Sequence, residues 1–314
     1  MRLLRQNDNG DIHLTRDYLG DDIPTYAILS HTWGDDEVTF KDITDGTGRH
    51  KRGYEKIRFC ARQASQDGLQ YFWVDTCCID KSNSTELQEA INCMFRWYKN
   101  SVKCYVYLAD VSLLEAHAKV GFSEAQWMPA FRNSRWFTRG WTLQELIAPA
   151  SVEFFSSQGT KLGNKRSLEN LIREATGLPS AALRGRPLSN FSVAQRLSWS
   201  SERNTTRPED KAYSLLGIFD VHMPMIYGES IENALRRLHE EIGKNSENQI
   251  RVPTTRQPRC YDCGEYGHYS NEHCYECKEY GHYAKDHCPK CGELGHGPDE
   301  VHCYKCTVPY ILNL

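Results

Sequence analysis

Apolar residues in the first half of the chain occur either as continuous runs or at helical spacing. The continuous runs predict buried strands at residues 25–33, 69–80, 103–112 and 151–156. Helical spacing predicts helices between them, at residues 53–68, 84–100 and 142–147. Gly68 is a candidate helix stop and Ser84 a candidate cap. Strands that alternate with helices predict an α/β fold with a parallel sheet covered on both faces, its core at about residues 20–160.

From residue 161 to residue 242 the pattern is mainly helical. Apolar spacing predicts helices at residues 167–177, 192–203, 208–219 and 229–243. We interpret residues 161–242 as a helical extension packed on the sheet, so that residues 1–242 form one domain. Glu209 and Asp210 follow Pro208 and suit a helix N-terminus, where capping is predicted for them. Residues 243–259 lose this periodicity and gain prolines, which predicts a linker.

The last part of the chain is a short repeat. Units that begin at Cys260, Cys274 and Cys288 follow one another at a period of 14 residues, and Cys303 and Cys306 begin a fourth copy. Each unit has two cysteines at C-x2-C spacing and a histidine after four more residues, a donor set that suits tetrahedral Zn²⁺. Because a unit of this size cannot bury a core, we predict small zinc-knuckle repeats over residues 260–306.

These units resemble retroviral-type zinc knuckles, C-x2-C-x4-H-x4-C, but differ at the last ligand. A histidine, His273 or His287, stands at the closing position, and a cysteine follows it at once. If histidines close the sites, the ligand sets are Cys260, Cys263, His268 and His273; Cys274, Cys277, His282 and His287; and Cys288, Cys291, His296 and His302. Unshared ligands favour these sets. The alternatives are closure by Cys274 and Cys288, or pairing of whole C-x2-C motifs into four-cysteine sites.

The sequence leaves two alternatives for the binding partner of the tail, a nucleic acid or a protein. Zinc knuckles commonly bind single-stranded nucleic acid through aromatic stacking and phosphate contacts, and tyrosines are plentiful in this tail. However, residues 260–306 carry four Lys/Arg against nine Asp/Glu, and a Cys2His2 zinc site is neutral. An acidic array lacks the counterion release that supplies most non-specific affinity for nucleic acid.

Composition and charge indicate the cellular compartment of the protein. The net charge of -3 gives no electrostatic reason for tight binding to a membrane, and no apolar run approaches the roughly 20 residues of a membrane span. The N-terminus turns polar after two leucines and lacks the apolar core of a secretion signal. We therefore expect a cytoplasmic or nuclear protein that is not secreted. Five scattered cysteines among apolar neighbours are then predicted as buried thiols: Cys60, Cys77, Cys78, Cys93 and Cys104.

The densest mixture of aromatic and charged residues is SRWFTRGWTLQELIAP, residues 134–149. Apolar bulk beside fixed charge is typical of a partly buried polar site, and Glu145 is the one carboxylate of this segment. Glu145 either belongs to such a site or forms a structural ion pair with Arg135 or Arg139. Candidate ligand-binding residues stand at the predicted strand ends and beside the short helix: Ser30, His31, Trp33, Asp75 and Trp141. Ligands of parallel α/β folds bind at the carboxyl ends of the strands, although loop capping is the alternative for His31 and Asp75.

Four motifs in the first 242 residues resemble one fungal family. In chain order, YAILSHTWG, WVDTCCIDK, SRWFTRGWTLQELIAP and RNTTRPEDKAYSLLGIFDVHMPMIYGE are similar to motifs of the heterokaryon incompatibility (HET) domain. The resemblance implies a role in non-self recognition and programmed cell death when incompatible cells fuse, with protein partners in incompatibility signalling. Similar proteins usually continue into a nucleotide-binding oligomerisation module and β-propeller repeats, whereas this chain has zinc knuckles and no P-loop motif.

HET domains in turn resemble TIR domains, which implies a TIR/flavodoxin-like sheet. In enzymatically active TIR domains a glutamate in a W-x-x-x-E-L-like segment cleaves the glycosidic bond of NAD. The segment from Trp141 to Leu146 looks similar and places Glu145 at that position, so the resemblance implies NAD as a substrate. A carboxylate can stabilise the oxocarbenium character that develops in this reaction, and Trp33 or Trp141 could stack on the nicotinamide.

Three hypotheses for the function follow. The first is a cell-death effector or regulator of heterokaryon incompatibility that hydrolyses NAD. The second is a non-enzymatic interaction module, in which the HET surface oligomerises and the tail selects the partner. The third is a nucleic-acid-binding protein that acts through its zinc knuckles.

Overall fold

A seven-stranded sheet forms the centre of the molecule. The computed structural model describes residues 1–7, 9–113 and 124–251. Its strands are β1 Leu4–Gln6, β2 Ile12–Leu14, β3 Tyr26–His31, β4 Tyr71–Trp73, β5 Lys103–Tyr107, β6 Val152–Phe155 and β7 Lys161–Asn164. They lie in the order β2-β1-β4-β3-β5-β6-β7, so β3 is at the middle of the sheet.

The sheet is mixed. Its four inner strands, β4-β3-β5-β6, pair in parallel, with Ile28 beside both Trp73 and Cys104. At the edges, β1 pairs antiparallel with β4 and β2, and β7 pairs antiparallel with β6. The α/β class and the parallel pairing of the four predicted strands are therefore confirmed. The sheet is nevertheless mixed rather than parallel as a whole, because the antiparallel edge strands were not predicted. The edge strands have three or four residues and bury few of their side chains, so they lack the apolar runs that predicted the inner strands.

The inner strands are apolar because both faces of the sheet are covered. All six residues of β3 and all four of β6 are buried, as expected for strands with helices on both faces. The predicted strand at residues 69–80 is shorter than expected, because β4 ends at Trp73 and a helical turn begins at Asp75.

The described residues of the first part contain the three predicted helices and three helices that were not predicted. They are α1 Phe40–Thr44, α2 Tyr54–Gln66, α3 Asp75–Cys78, α4 Ser84–Asn100, α5 Glu124–Arg132 and α6 Thr142–Ile147. The predicted helices are α2, α4 and α6, and those not predicted are α1, α3 and α5. Gly68 adopts a φ of 74° just after α2, which suits a residue that stops a helix. The cap of α4 is Asn83 rather than Ser84, because the Asn83 side chain accepts hydrogen bonds from the backbone N–H groups of Thr85 and Glu86.

Each helical stretch predicted after residue 161 contains helix. The helices are α7 Glu169–Thr176, α8 Ser180–Leu183, α9 Val193–Ser198, α10 Asp210–Tyr213, α11 Leu216–Phe219 and α12 Ile231–Arg251. The last helix continues past Gly243, so residues 243–251 of the predicted linker are helical. In this region α11 packs against α4 and α9.

The chain divides into two units, Met1–Ser246 and Glu247–Leu314, of which the structure describes the second as far as Arg251. The predicted zinc ligands, from Cys260 to Cys306, lie outside the described residues. None of the helices in the described part is long and apolar enough to cross a membrane. The five cysteines of the described part are free, and all except the half-buried Cys93 are buried, as predicted.

Candidate functional site

A cavity of about 290 Å³ opens where the parallel strands end. His31 is the last residue of β3, and Asp75 follows the end of β4, so the topology brings both to one edge of the sheet. The polar side chains that line the cavity are His31, Thr32, Asp75, Lys81, Arg139, Thr142, Glu145, Thr206, Arg207 and Asp210. Its apolar and aromatic lining comes from Trp33, Ile79, Leu87, Ile91, Met94, Tyr98, Trp141 and Tyr227.

Glu145 is the most deeply placed acid of this cavity. It lies on α6, a helix that buries all six of its residues, and it is 8% exposed. Its Oε2 accepts a hydrogen bond from Ser30 Oγ on β3. Trp136 Nε1 donates to the same Ser30 oxygen at 2.8 Å. Trp136, Ser30 and Glu145 therefore form one buried chain of hydrogen bonds.

The protonation of Glu145 is set mainly by its burial. Burial raises the pKa of Glu145 to about 8, and the negative charge of Asp75 acts in the same direction. Hydrogen bonds from Ser30 and Tyr98 and the charge of Arg203 oppose this rise without cancelling it. Glu145 is therefore mostly neutral at pH 7.

The predicted ion pair of Glu145 with Arg135 or Arg139 is not formed in the described part of the chain. Arg135 Nε lies 3.7 Å from Asp110 Oδ2. Arg139 Nη2 donates to Thr206 Oγ1 at 3.0 Å. Both guanidinium groups therefore point to partners other than Glu145.

Two buried cations hold the ends of α6 instead. Arg203 Nη1 donates to the Arg139 carbonyl oxygen at 2.8 Å, ahead of the helix. Lys165 Nζ donates to the carbonyl oxygens of Leu146 at 3.3 Å and Pro149 at 2.7 Å, at its other end. Burial lowers the pKa of Arg203 to about 10 and that of Lys165 to about 8. Sequence reasoning missed both residues because they lie far from α6 along the chain.

Asp75 is held as an ionised carboxylate. Its Oδ1 lies 3.0 Å from His31 Nε2, its Oδ2 accepts from Trp33 Nε1 at 2.8 Å, and Lys81 Nζ lies 3.7 Å from Oδ2. Burial acts to raise the pKa of Asp75, but the charge of Lys81 and the bonds from His31 and Trp33 outweigh it and hold this pKa well below its usual range. His31 Nδ1 also lies 3.3 Å from Lys56 Nζ. The hydrogen bonds described for the side chains of His31 and Asp75 are thus to other side chains, rather than to the backbone as loop caps.

The helical extension completes the cavity. Asp210 accepts hydrogen bonds from Trp141 Nε1 at 3.2 Å and from Tyr227 OH at 3.0 Å. Burial raises the pKa of Asp210. The predicted capping of α10 by Glu209 and Asp210 is wrong, because no side chain caps this helix. Glu209 Oε1 instead accepts from the Gly228 N–H at 2.8 Å.

The structure brings the candidate residues together. Glu145, His31, Trp33, Asp75 and Trp141 line one cavity. Ser30 lies behind Glu145 and holds it. The same cavity contains Tyr98, Arg139, Arg207, Asp210 and Tyr227, which sequence reasoning did not assign to a site. Within the described residues, no group of three or more His, Cys, Asp or Glu side chains is placed to hold a metal ion.

Comparison with known proteins finds similarity to one protein family. Residues 26–120 match the heterokaryon incompatibility protein (HET) family. Residues 26–120 are therefore similar to a HET domain. The chain is also similar to the vegetative incompatibility protein HET-E-1 of Podospora anserina, with 61% identity over 247 residues that cover 78% of the chain.

The HET domain match and the relative differ in extent. The chain spans 18% of the length of HET-E-1. The family match includes His31 and Asp75 but ends before Glu145 and Arg207, so part of the cavity lies beyond the matched residues. No solved structure matches the chain.

Proposed function

We propose that the protein acts in heterokaryon incompatibility of a filamentous fungus, as a cell-death effector or regulator that hydrolyses NAD. The HET domain and the similarity to a vegetative incompatibility protein support the first part. The second part depends on Glu145, a buried carboxyl group in a cavity at the strand ends. A TIR-like arrangement with Glu145 at the nicotinamide–ribose bond accounts for this position. The protein works in the cytoplasm or nucleus and relays the signal to protein partners.

The proposed reaction breaks the bond between the nicotinamide nitrogen and ribose C1. Nicotinamide leaves as a neutral molecule with the electron pair of that bond, and positive charge develops on the ribose. Water adds its oxygen to C1 and releases one proton, which gives ADP-ribose. An ionised Glu145 would stabilise the positive charge on the ribose, as carboxylates do in glycoside hydrolysis.

The raised pKa of Glu145 couples this chemistry to substrate binding. A carboxyl group with a pKa of about 8 holds its proton at pH 7 in the free protein. The nicotinamide ring of NAD carries a positive charge, and a nearby opposite charge favours the ionised form of a carboxyl group. Substrate binding is therefore expected to release the proton of Glu145.

The shape of the cavity suits part of NAD. Its volume of about 290 Å³ lies just below the usual range of ligand pockets, roughly 300–1,000 Å³. We therefore place the nicotinamide–ribose half in the cavity and the rest of the dinucleotide at its mouth. Ile79, Ile91 and Met94 supply an apolar wall for the ring, and Trp33 or Trp141 supplies an aromatic face.

Inducible expression of the full chain in a filamentous fungus tests the proposed function. We expect cell death and loss of cellular NAD with the wild-type chain, and neither with Glu145→Gln at equal protein level. Glu202→Gln changes an exposed glutamate outside the cavity and should behave as the wild type. Death with Glu145→Gln at constant NAD would instead favour the non-enzymatic interaction module, in which the HET surface oligomerises.

For the tail, we propose zinc binding by the three histidine-closed ligand sets. Each set combines two thiolates and two imidazoles at the spacing that tetrahedral Zn²⁺ accepts. We expect about three zinc ions per chain by elemental analysis, one for each set. His273→Ala should remove about one of them, and the exposed His222→Ala should remove none. An unchanged zinc content in His273→Ala would favour closure of that site by Cys274.

The tail's partner is, in this proposal, a protein rather than single-stranded nucleic acid. The excess of acidic residues between Cys260 and Cys306 removes the electrostatic term on which non-specific nucleic-acid binding depends. A gel shift of single-stranded RNA with the full chain at low ionic strength should therefore show no complex. A complex that weakens with added salt would favour the nucleic-acid hypothesis.

A further inference from the structure

Two arginines from distant parts of the chain line the cavity that contains Glu145. Arg139 lies just before α6, and Arg207 lies before α10. Their segments are joined by the backbone: Gly140 N donates to Asn204 O at 2.9 Å. Arg139 and Asn204 form a short parallel bridge there. The fold therefore fixes the backbone segments from which both arginine side chains extend.

This junction is closely packed. A Cβ atom on Gly140 would lie 2.5 Å from Thr205 Cγ2, so a side chain at residue 140 would push the two segments apart. Arg203 strengthens the junction, because its Nη1 also donates to Thr142 Oγ1 at 2.9 Å. The backbone positions of the two arginines are thus set before any ligand binds, which lowers the cost of binding.

Neither arginine forms an ion pair in the part of the chain that the structure describes. Arg139 and Arg207 have no carboxylate oxygen within 4.0 Å among those residues. Arg139 donates to the neutral hydroxyl of Thr206. The Arg207 guanidinium lies 4.0 Å from the centre of the Tyr227 ring. A guanidinium has five N–H donors, so both groups keep donors for a ligand.

The charge of Arg207 acts to lower the pKa of two nearby acids, Asp210 and Glu209, but neither forms an ion pair with it among the described residues. Asp210 directs its two oxygens at Trp141 and Tyr227. Lys81 lies 3.7 Å from Asp75. Arg139 and Arg207 are therefore the cavity cations that form no ion pair within the described part of the chain. Arg207 is exposed and Arg139 is half-buried, which places them where the cavity meets solvent.

We propose that Arg139 and Arg207 bind the diphosphate of the dinucleotide and so position the nicotinamide–ribose bond at Glu145. This inference rests on the proposed function for the identity of the substrate. Arginine binds phosphate oxygens through paired hydrogen bonds, and two guanidinium groups match the two negative charges of a diphosphate. The preferred substrates are then diphosphate dinucleotides, rather than nucleosides that carry the same nicotinamide ring.

Titration calorimetry of the full chain with ADP-ribose tests the diphosphate subsite. ADP-ribose carries the diphosphate and has no nicotinamide bond to hydrolyse. We expect Arg207→Gln to weaken its binding at least tenfold and Arg207→Lys, which keeps the charge, to weaken it less. Arg166→Gln, at an exposed arginine outside the cavity, should bind as the wild type does. Nicotinamide riboside, which has no phosphate, should bind the wild type and Arg207→Gln within twofold.

The results of these measurements distinguish failure of the proposed diphosphate subsite from failure of the proposed NAD hydrolysis. Equal ADP-ribose affinity in the wild type and Arg207→Gln would overturn the subsite, as would an equal loss of nicotinamide riboside binding. If ADP-ribose binding depends on Arg207 while the wild type leaves NAD intact, the subsite is supported and the hydrolysis fails. If the wild type hydrolyses NAD and Arg207→Gln does so with an unchanged KM, the hydrolysis is supported and the subsite fails.

Discussion

At the scale of single residues, one cavity holds two carboxyl groups in opposite protonation states. Burial raises the pKa of Glu145 to about 8. Asp75 has a pKa well below its usual range, because Lys81, His31 and Trp33 outweigh the effect of its own burial. Pairs of carboxyl groups whose surroundings separate their pKa values commonly divide acid and base roles between them. At pH 7 Asp75 is thus the ionised group, and Glu145 has a proton to lose.

The pH dependence of NAD hydrolysis should report the ionisation of Glu145. We expect kcat/KM to rise with pH around a midpoint near the Glu145 pKa of about 8, because the ionised form stabilises the developing positive charge. Ser30→Ala removes a hydrogen bond that lowers the pKa of Glu145, so its midpoint should move to higher pH. Ser156→Ala, at a buried serine outside the cavity, should leave the midpoint unchanged. A value of kcat/KM that does not vary with pH would speak against an ionised Glu145 in the reaction.

The same shift in pKa predicts how stability depends on pH. Between the ordinary pKa of a glutamate, 4.5, and the folded-state pKa of about 8, folded Glu145 keeps a proton that the unfolded chain has released. The free energy of unfolding of the wild type should therefore fall as pH rises through this window. Glu145→Gln lacks this titration and should gain relative stability by up to about 1.4 kcal/mol per pH unit there. Urea unfolding of both proteins at several pH values measures the difference, and a constant difference would contradict the raised pKa.

At the scale of elements, the apolar pattern of the sequence predicted the long strands and helices that have many buried residues. The buried strand β3 and the helix α4 were predicted because their apolar residues repeat over many positions. The edge strand β1 has three residues, and its pairing with β4 depends on contacts made far along the chain. The role of Asp210 was missed for a similar reason. Its hydrogen bond to Trp141 joins two segments that lie far apart along the chain, so the sequence indicated only a helix cap.

Alanine substitutions at two helical glycines should change stability in opposite directions. A Cβ atom on Gly217 in α11 would overlap Phe95 Cβ on α4, where these helices make their close approach. Gly217→Ala should therefore lower the free energy of unfolding by about 1–3 kcal/mol. Gly243 lies exposed in α12 with nothing near its Cβ position, so Gly243→Ala should raise stability by up to about 1 kcal/mol. Denaturant unfolding of both variants checks the signs, and a neutral Gly217→Ala would contradict the close approach of α4 and α11.

At the scale of the whole molecule, the cavity draws on distant parts of one unit. Its walls come from strand ends near His31 and Asp75, from α6, and from residues 206–227 of the helical extension. The sequence could predict the strand-end part, because parallel strands end at one edge of a sheet. It could not predict how residues 206–227 return to that edge, because the bridge between Arg139 and Asn204 carries no periodic signal.

Truncation tests this construction. Residues 1–251 contain the whole cavity, so this fragment should keep the NAD hydrolysis proposed for the full chain. A fragment that ends at residue 200 lacks Arg207, Asp210 and Tyr227 and exposes the face of α4 that α11 covers. It should lose both activity and resistance to limited proteolysis. Full activity in the shorter fragment would show that the extension is not part of the site.

The most direct measurement of the central proposal is the release of nicotinamide from NAD by the purified full chain. We predict steady turnover by the wild type, the same rate in Glu202→Gln, and a loss of at least about 100-fold in Glu145→Gln, the size expected for a catalytic side chain. Thermal unfolding of each protein confirms that the variants are folded. Equal nicotinamide release by the wild type and Glu145→Gln, or no release by the folded wild type, would contradict hydrolysis of NAD at Glu145.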